Sequence, residues 1–395
     1  MGAALGGPGQ ASGPLPGLAS EALPPLLAWD AQEAELSEQL EAADLAGCMA
    51  LQVIRRARVC ASLLARAIQA PELARAVGLA GGLRAAHALS AASRTHGQGS
   101  REVLATLRVE LPPQLYVCGG SAGGAEVAAA ERLNLFTGRW EQMPPMATAR
   151  RWCGAAALAG MLYVVGGHNG GHYLGTAERF DTASGRWEAL PPMPSPREAC
   201  AVVAAGGAVC AFGGSHNEQA LAAAECFRPA EHCWEVLAPM PRARDACAAA
   251  AAAGEVFLFG GREAGEFLAT ADRFDSGTCC WHAMPSMHTA RLGCAAAALA
   301  KVLYVFGGHG NGQALAAAEC FRLPDGLWEQ LPPMPTPRLG CVALATAGRL
   351  CVFGGHDGEQ AVGASECLDL ASGSWMELPS LPTPRYACAG VATAS

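Results

Sequence analysis

A Gly-Gly pair recurs six times in this chain, each pair 47 residues after the last, at Gly119-Gly120, Gly166-Gly167, Gly213-Gly214, Gly260-Gly261, Gly307-Gly308 and Gly354-Gly355. Three further columns keep the same register. Tryptophan stands at Trp140, Trp187, Trp234, Trp281, Trp328 and Trp375; an acid at Glu131, Glu178, Glu225, Asp272, Glu319 and Glu366; and arginine at Arg150, Arg197, Arg244, Arg291, Arg338 and Arg385. A period in this range means stacked copies of one supersecondary unit, none of which buries its apolar surface alone. The segments between the markers are strand-length. CGAAALAG, LYVVGG, AERFDT and RWEALP are apolar or aromatic runs separated by Gly, Pro, Ser and Asn, which reads as four short strands per unit.

The apolar run, Gly-Gly, acid, Trp, Pro-Met and Arg, in that order over residues 115–395, resemble the kelch repeat. The resemblance implies an all-β, six-bladed β-propeller with four antiparallel strands per blade. Its phase carries a further expectation. The first unit opens at Leu115 with the Gly-Gly strand and lacks the strand that precedes it in every other unit, while residues 385–395 supply such a strand with no successor. Closure of the first blade by the C-terminal strand would cancel both deficits and leave no open sheet edge.

The chain ahead of the repeats divides in two. Residues 1–25 are rich in Gly and Pro, with no Lys or Arg, and read as a disordered leader rather than a signal peptide. Residues 26–110 are rich in helix formers at near-helical spacing and read as a small α-helical segment. Within them residues 80–107 resemble an armadillo-type repeat, the alternative being a helical cap or oligomerisation segment. The segment is too short for the BTB and BACK modules found ahead of many kelch propellers, which counts against a direct cullin link.

Charge and cysteine usage narrow the function classes. The net charge is -8, with about seven of the excess negative charges beyond residue 114 and no basic stripe, so nucleic acid is not an expected partner. No apolar stretch is long enough to predict a membrane span. Most of the 17 cysteines fall in repeat columns. Cys153, Cys200, Cys247, Cys294, Cys341 and Cys388 follow the arginines by three; Cys226, Cys320 and Cys367 follow the acids; Cys210 and Cys351 replace a strand Tyr. These read as buried strand thiols in a reducing, cytoplasmic setting, not as disulfides or metal ligands. Histidines after the Gly-Gly pairs are spread over different blades and read as solvated loop residues. No catalytic residue, metal or cofactor is expected. The Tyr, Cys and His set of the copper-dependent galactose-oxidase relatives has no counterpart, which makes a propeller metalloenzyme the weaker alternative.

What remains is recognition. In alternating strands, the loop after Gly-Gly and the segment before the next blade's first strand share one face, where the resemblance implies that kelch relatives bind peptide partners. The residue after each repeat arginine varies, and Arg151, Glu198, Asp245 and Tyr386 are predicted at the channel mouth. His168, Asn169, Tyr173, His216, Asn217, Arg262, Glu263, His309, Asn311, His356 and Asp357 are predicted as its rim. The expected function is a scaffold binding a protein or peptide here, or, more narrowly, the substrate-recognition subunit of a ubiquitin ligase.

Overall fold

The computed structural model describes residues 114–393 except 136, 324 and 347. The predicted leader and helical segment lie outside these residues. The described chain forms six four-stranded antiparallel sheets, one per 47-residue unit. In the second blade the strands run Gly154–Leu158, Met161–Val165, Ala177–Asp181 and Arg186–Leu190, from the axis outward. The four runs read from the sequence are these four strands.

The first blade is assembled from both ends of the described chain. Its innermost strand, Ala389–Thr393, pairs antiparallel with Gln114–Cys118, from Gln114 opposite Thr393 to Cys118 opposite Ala389. Closure by the C-terminal strand is therefore observed, and the sheet continues through Ala130–Asn134 to Arg139–Gln142.

Second strands such as Met161–Val165 and Glu255–Phe259 are buried on both sides because each blade lies between two others. Side chains alternate across the pleat. Leu162 and Val164 thus pack towards blade one, and Tyr163 and Val165 towards blade three. The described core comprises six such clusters, one in each gap between neighbouring blades. Innermost strands are made of small residues, as in Ala248–Ala252, where converging strands leave little room.

Two columns stitch the blades, the tryptophans at the outer rim and the arginines at the inner junctions. The tryptophans are only partly buried. Each packs at the outer edge of an inter-blade cluster and donates its indole N–H to a carbonyl of the preceding blade: Trp187 to Pro144 at 2.8 Å, Trp234 to Pro191 at 2.8 Å, and, across the closure, Trp140 to Pro379 at 2.8 Å. A ring on an outermost strand has a neighbour on one side only, so its polar edge finds a partner at the rim. The arginines are 0–1 % exposed. Arg150 donates to the carbonyls of Gly166 (2.8 Å) and Thr176 (3.0 Å) and pairs with Glu178 at 2.6 Å, all in the blade that follows it. Its own carbonyl accepts from Gly120 N–H, in the blade behind, at 2.8 Å. Arg385 repeats this across the closure, pairing with Glu131 at 2.9 Å. The arginines thus cap backbone carbonyls of the next blade, and the acid column is their partner.

Both glycines of the pair are required by close approach. A Cβ on Gly119 would lie 2.6 Å from Arg150 O, and one on Gly120 2.8 Å from Tyr386 O, with φ at 64° and 104°. No helix among the described residues is long and apolar enough to cross a membrane.

Candidate functional site

The two loop sets predicted to share a face do meet. Backbone bridges join Arg151 to His168, Glu198 to Ser215, Asp245 to Arg262, Leu292 to His309, Leu339 to His356 and Tyr386 to Ser121. The residue after each arginine is thereby pinned beside the residue after the Gly-Gly pair. The face is a circle of six mouth residues, each backed by its rim loop.

One step further in lies a ring absent from the sequence reading. Trp152 N–H donates to Ala387 O (2.8 Å), Ala387 to Gly340 (2.8 Å), Gly340 to Gly293 (2.7 Å), Gly293 to Ala246 (2.7 Å), Ala246 to Ala199 (2.9 Å) and Ala199 back to Trp152 (2.7 Å). All six take left-handed φ between 49° and 63°. The cycle satisfies six backbone donors at the crowded axis. Its signal was in the sequence: two places after the arginine stand Ala or Gly in five units and tryptophan in one. Trp152 crosses the ring, and a Cβ on the opposing Gly293 or Gly340 would lie 3.5 or 3.2 Å from its Cη2. The two glycines leave room for the indole. Beneath the mouth a cavity of about 100 Å³ is lined by this ring and by Cys153, Cys200, Cys247, Cys294, Cys341 and Cys388.

These six thiols stand at the channel wall just before the innermost strands, rather than within them as expected. Each is buried, and burial pushes the pKa of Cys153, Cys247, Cys341 and Cys388 up to about 12 and of Cys200 and Cys294 to about 11, against partial relief from the neighbouring arginine. They are neutral apolar wall, not nucleophiles. Among the described residues no group of three or more His, Cys, Asp or Glu converges as metal ligands would.

The mouth is two-sided. Arg151, Glu198 and Asp245 are consecutive around the circle, as are Leu292, Leu339 and Tyr386. Asp245 is 4 % exposed and accepts from Arg262 Nη2 at 2.9 Å through Oδ2, while its Oδ1 is buried without a hydrogen-bond partner. Arg151 lies 3.5 Å from Glu126. Glu198 is half-buried; burial pushes its carboxyl up, with His168 and Arg151 pulling it back and Asp245 adding to the rise.

The rim histidines are packed as well as solvated. Tyr173 lies between His168 and His216, with ring centroids 5.4 and 5.1 Å away, and its hydroxyl accepts from Glu218 N–H. His168 Nδ1 accepts from Gly170 N–H at 3.2 Å, so the carboxylate of Glu126, 3.8 Å away, is a neighbour and not its hydrogen-bond partner. His356 stacks edge-on against Tyr386 at 5.2 Å, and His309 against Phe267 at 5.5 Å. Phe267 is a rim residue the sequence reading missed.

Other predicted rim residues serve their own turns. Asp357 accepts from the backbone of Glu359 and Gln360 at 2.8 Å, which holds its carboxyl below the usual range. Asn217 and Asn311 occupy left-handed turn positions, and Asn169 N–H closes its loop onto His172 O. Glu263 faces Arg242 at 3.2 Å, at the outer side of the loop.

No curated protein matches the chain. The family model described as the KLHDC2/KLHL20/DRC7 Kelch-repeats domain matches residues 95–261 and 192–334, and the Kelch motif matches residues 337–382. With six 47-residue blades, a closing C-terminal strand and matches over more than half its length, the chain belongs to the kelch-repeat propeller family.

Proposed function

We propose that this chain is a non-enzymatic interaction module that holds a segment of a partner protein on its loop face, centred on the channel mouth. One observation carries the reading. The repeat repeats its arginine, acid, tryptophan and glycines, yet at six equivalent mouth positions it holds Arg151, Glu198, Asp245, Leu292, Leu339 and Tyr386. Folding places no demand for six different environments there, whereas recognition of an asymmetric partner does. Membership of a family of interaction propellers supports the same reading.

The test is affinity capture by the full chain against a variant carrying Arg151→Ala, Glu198→Ala and Tyr386→Ala, with Lys301→Glu, in the turn on the opposite face, as control. The expected outcome is a set of proteins retained by wild type and the control and lost by the triple variant, with melting temperatures alike. Identical sets in all three would overturn the assignment of this face.

A further inference from the structure

The charges at the mouth are unbalanced. Of its two guanidiniums, Arg262 is hydrogen-bonded to Asp245, while Arg151 stands 3.5 Å from Glu126 with its Nε short of a hydrogen-bond partner. Glu198 makes no side-chain hydrogen bond or ion pair among the described residues, and Asp245 keeps a buried oxygen without a partner. A carboxylate oxygen removed from water without a partner, as in Asp245, is costly, and an arriving cation recovers that cost. An acidic segment would meet the three carboxylates of Glu126, Glu198 and Asp245 against two guanidiniums that already stand beside acids.

The inner ring below the mouth carries one large side chain. Trp152 is partly exposed and spans towards Gly293 and Gly340, beneath the mouth. An indole face is the best aromatic surface for an ammonium or guanidinium group. Across the mouth Leu292, Leu339 and Tyr386 form a continuous, partly exposed apolar arc.

We propose that the mouth takes a partner segment carrying an arginine or lysine beside a bulky apolar residue. The cation lies over Trp152 between Glu198 and Asp245, and the apolar side chain lies against Leu292, Leu339 and Tyr386. This rests on the reading of the loop face as the interaction surface and adds the chemistry of its occupant. The order of the arcs around the mouth also fixes the direction in which the segment lies.

The probes are four pools of fluorescein-labelled nonapeptides, random except for a central Arg-Leu, Lys-Leu, Gln-Leu or Glu-Leu, titrated by anisotropy against the full chain. The Arg and Lys pools are expected to bind about tenfold more tightly than the Gln and Glu pools, with the preference shrinking as salt rises. In Glu198→Gln, an isosteric change at a half-buried position, the preference should fall to about threefold or less. Trp152→Leu should weaken the Arg and Lys pools more than the Gln pool, provided its melt matches wild type. Equal binding of all pools, tightest binding of the Glu pool, or a preference undiminished in Glu198→Gln would overturn the basic-residue proposal and leave the face standing. Failure of every pool to bind would overturn both.

Discussion

Each repeat arginine occupies a position where no other side chain would serve. Its guanidinium reaches two carbonyls and a carboxylate in the blade ahead, while its own carbonyl is held by the blade behind. The planar fork meets three acceptors at once, which a lysine ammonium would do poorly. In two copies, Arg197 and Arg338, Nη2 faces its acid at 2.7 and 3.0 Å but off the hydrogen-bond angle. Breaking such a pair leaves a buried charge alone. We therefore expect Arg197→Ala to destabilise the propeller by about 3–5 kcal/mol, because Glu225, 1 % exposed, loses its counter-ion. The double variant with Glu225→Ala should cost less than the sum of the singles, as in any directly coupled pair. Denaturant midpoints of the three variants check this, and strict additivity would refute the coupling.

At the scale of the element, the C-terminal strand is the closing piece of a ring, not a tail. Ala389–Thr393 brings the whole inner edge of blade one into register, and Arg385 and Trp140 tie the same junction from the inside and the outside. Opening it uncovers the cluster that includes Leu115, Val117, Val342 and Phe353, and frees the edge of Gln114–Cys118. An unpaired apolar edge invites aggregation. Deletion of residues 386–395 should therefore abolish cooperative melting and yield an aggregation-prone chain, read by near-UV circular dichroism and light scattering. A cooperative melt at the wild-type temperature would contradict this account of closure.

At the scale of the whole molecule, six buried thiols around the channel give stability a pH signature. Burial weakens them as acids, raising their pKa from an ordinary value near 9 to about 11–12. Above pH 9 the unfolded chain releases these protons while the folded chain keeps them. Their contribution is thus whole below pH 9 and lost as pH climbs towards 11–12, at up to about 1.4 kcal/mol per pH unit for each thiol. Melting temperature followed from pH 7 to 10.5 should fall steeply beyond 9, and the slope should ease when several of these cysteines are replaced by alanine. Mass-spectrometric mapping of thiol alkylation in the native protein should mark the exposed Cys233, Cys279 and Cys280 well before any of the six.

Much of this was legible in one dimension because a propeller is periodic. The 47-residue register of glycine, acid, tryptophan and arginine determined blade count, strand order and, through its phase, the closure. It also determined which loops share a face, since antiparallel strands leave no choice. Tertiary structure alone decided which columns touch. Arg150 and Glu178 are 28 residues apart in sequence and meet only when the blade folds. The ring through Trp152 and Ala387 closes only when the last blade reaches the first, and its signal is a column of small residues with no chemistry of their own. The same closure laid Trp152 across the inner ring, with its indole tip against Gly293 and Gly340 on the side of the apolar arc. A linear pattern records which residues recur; which ones converge on the axis depends on the curvature that six packed blades impose.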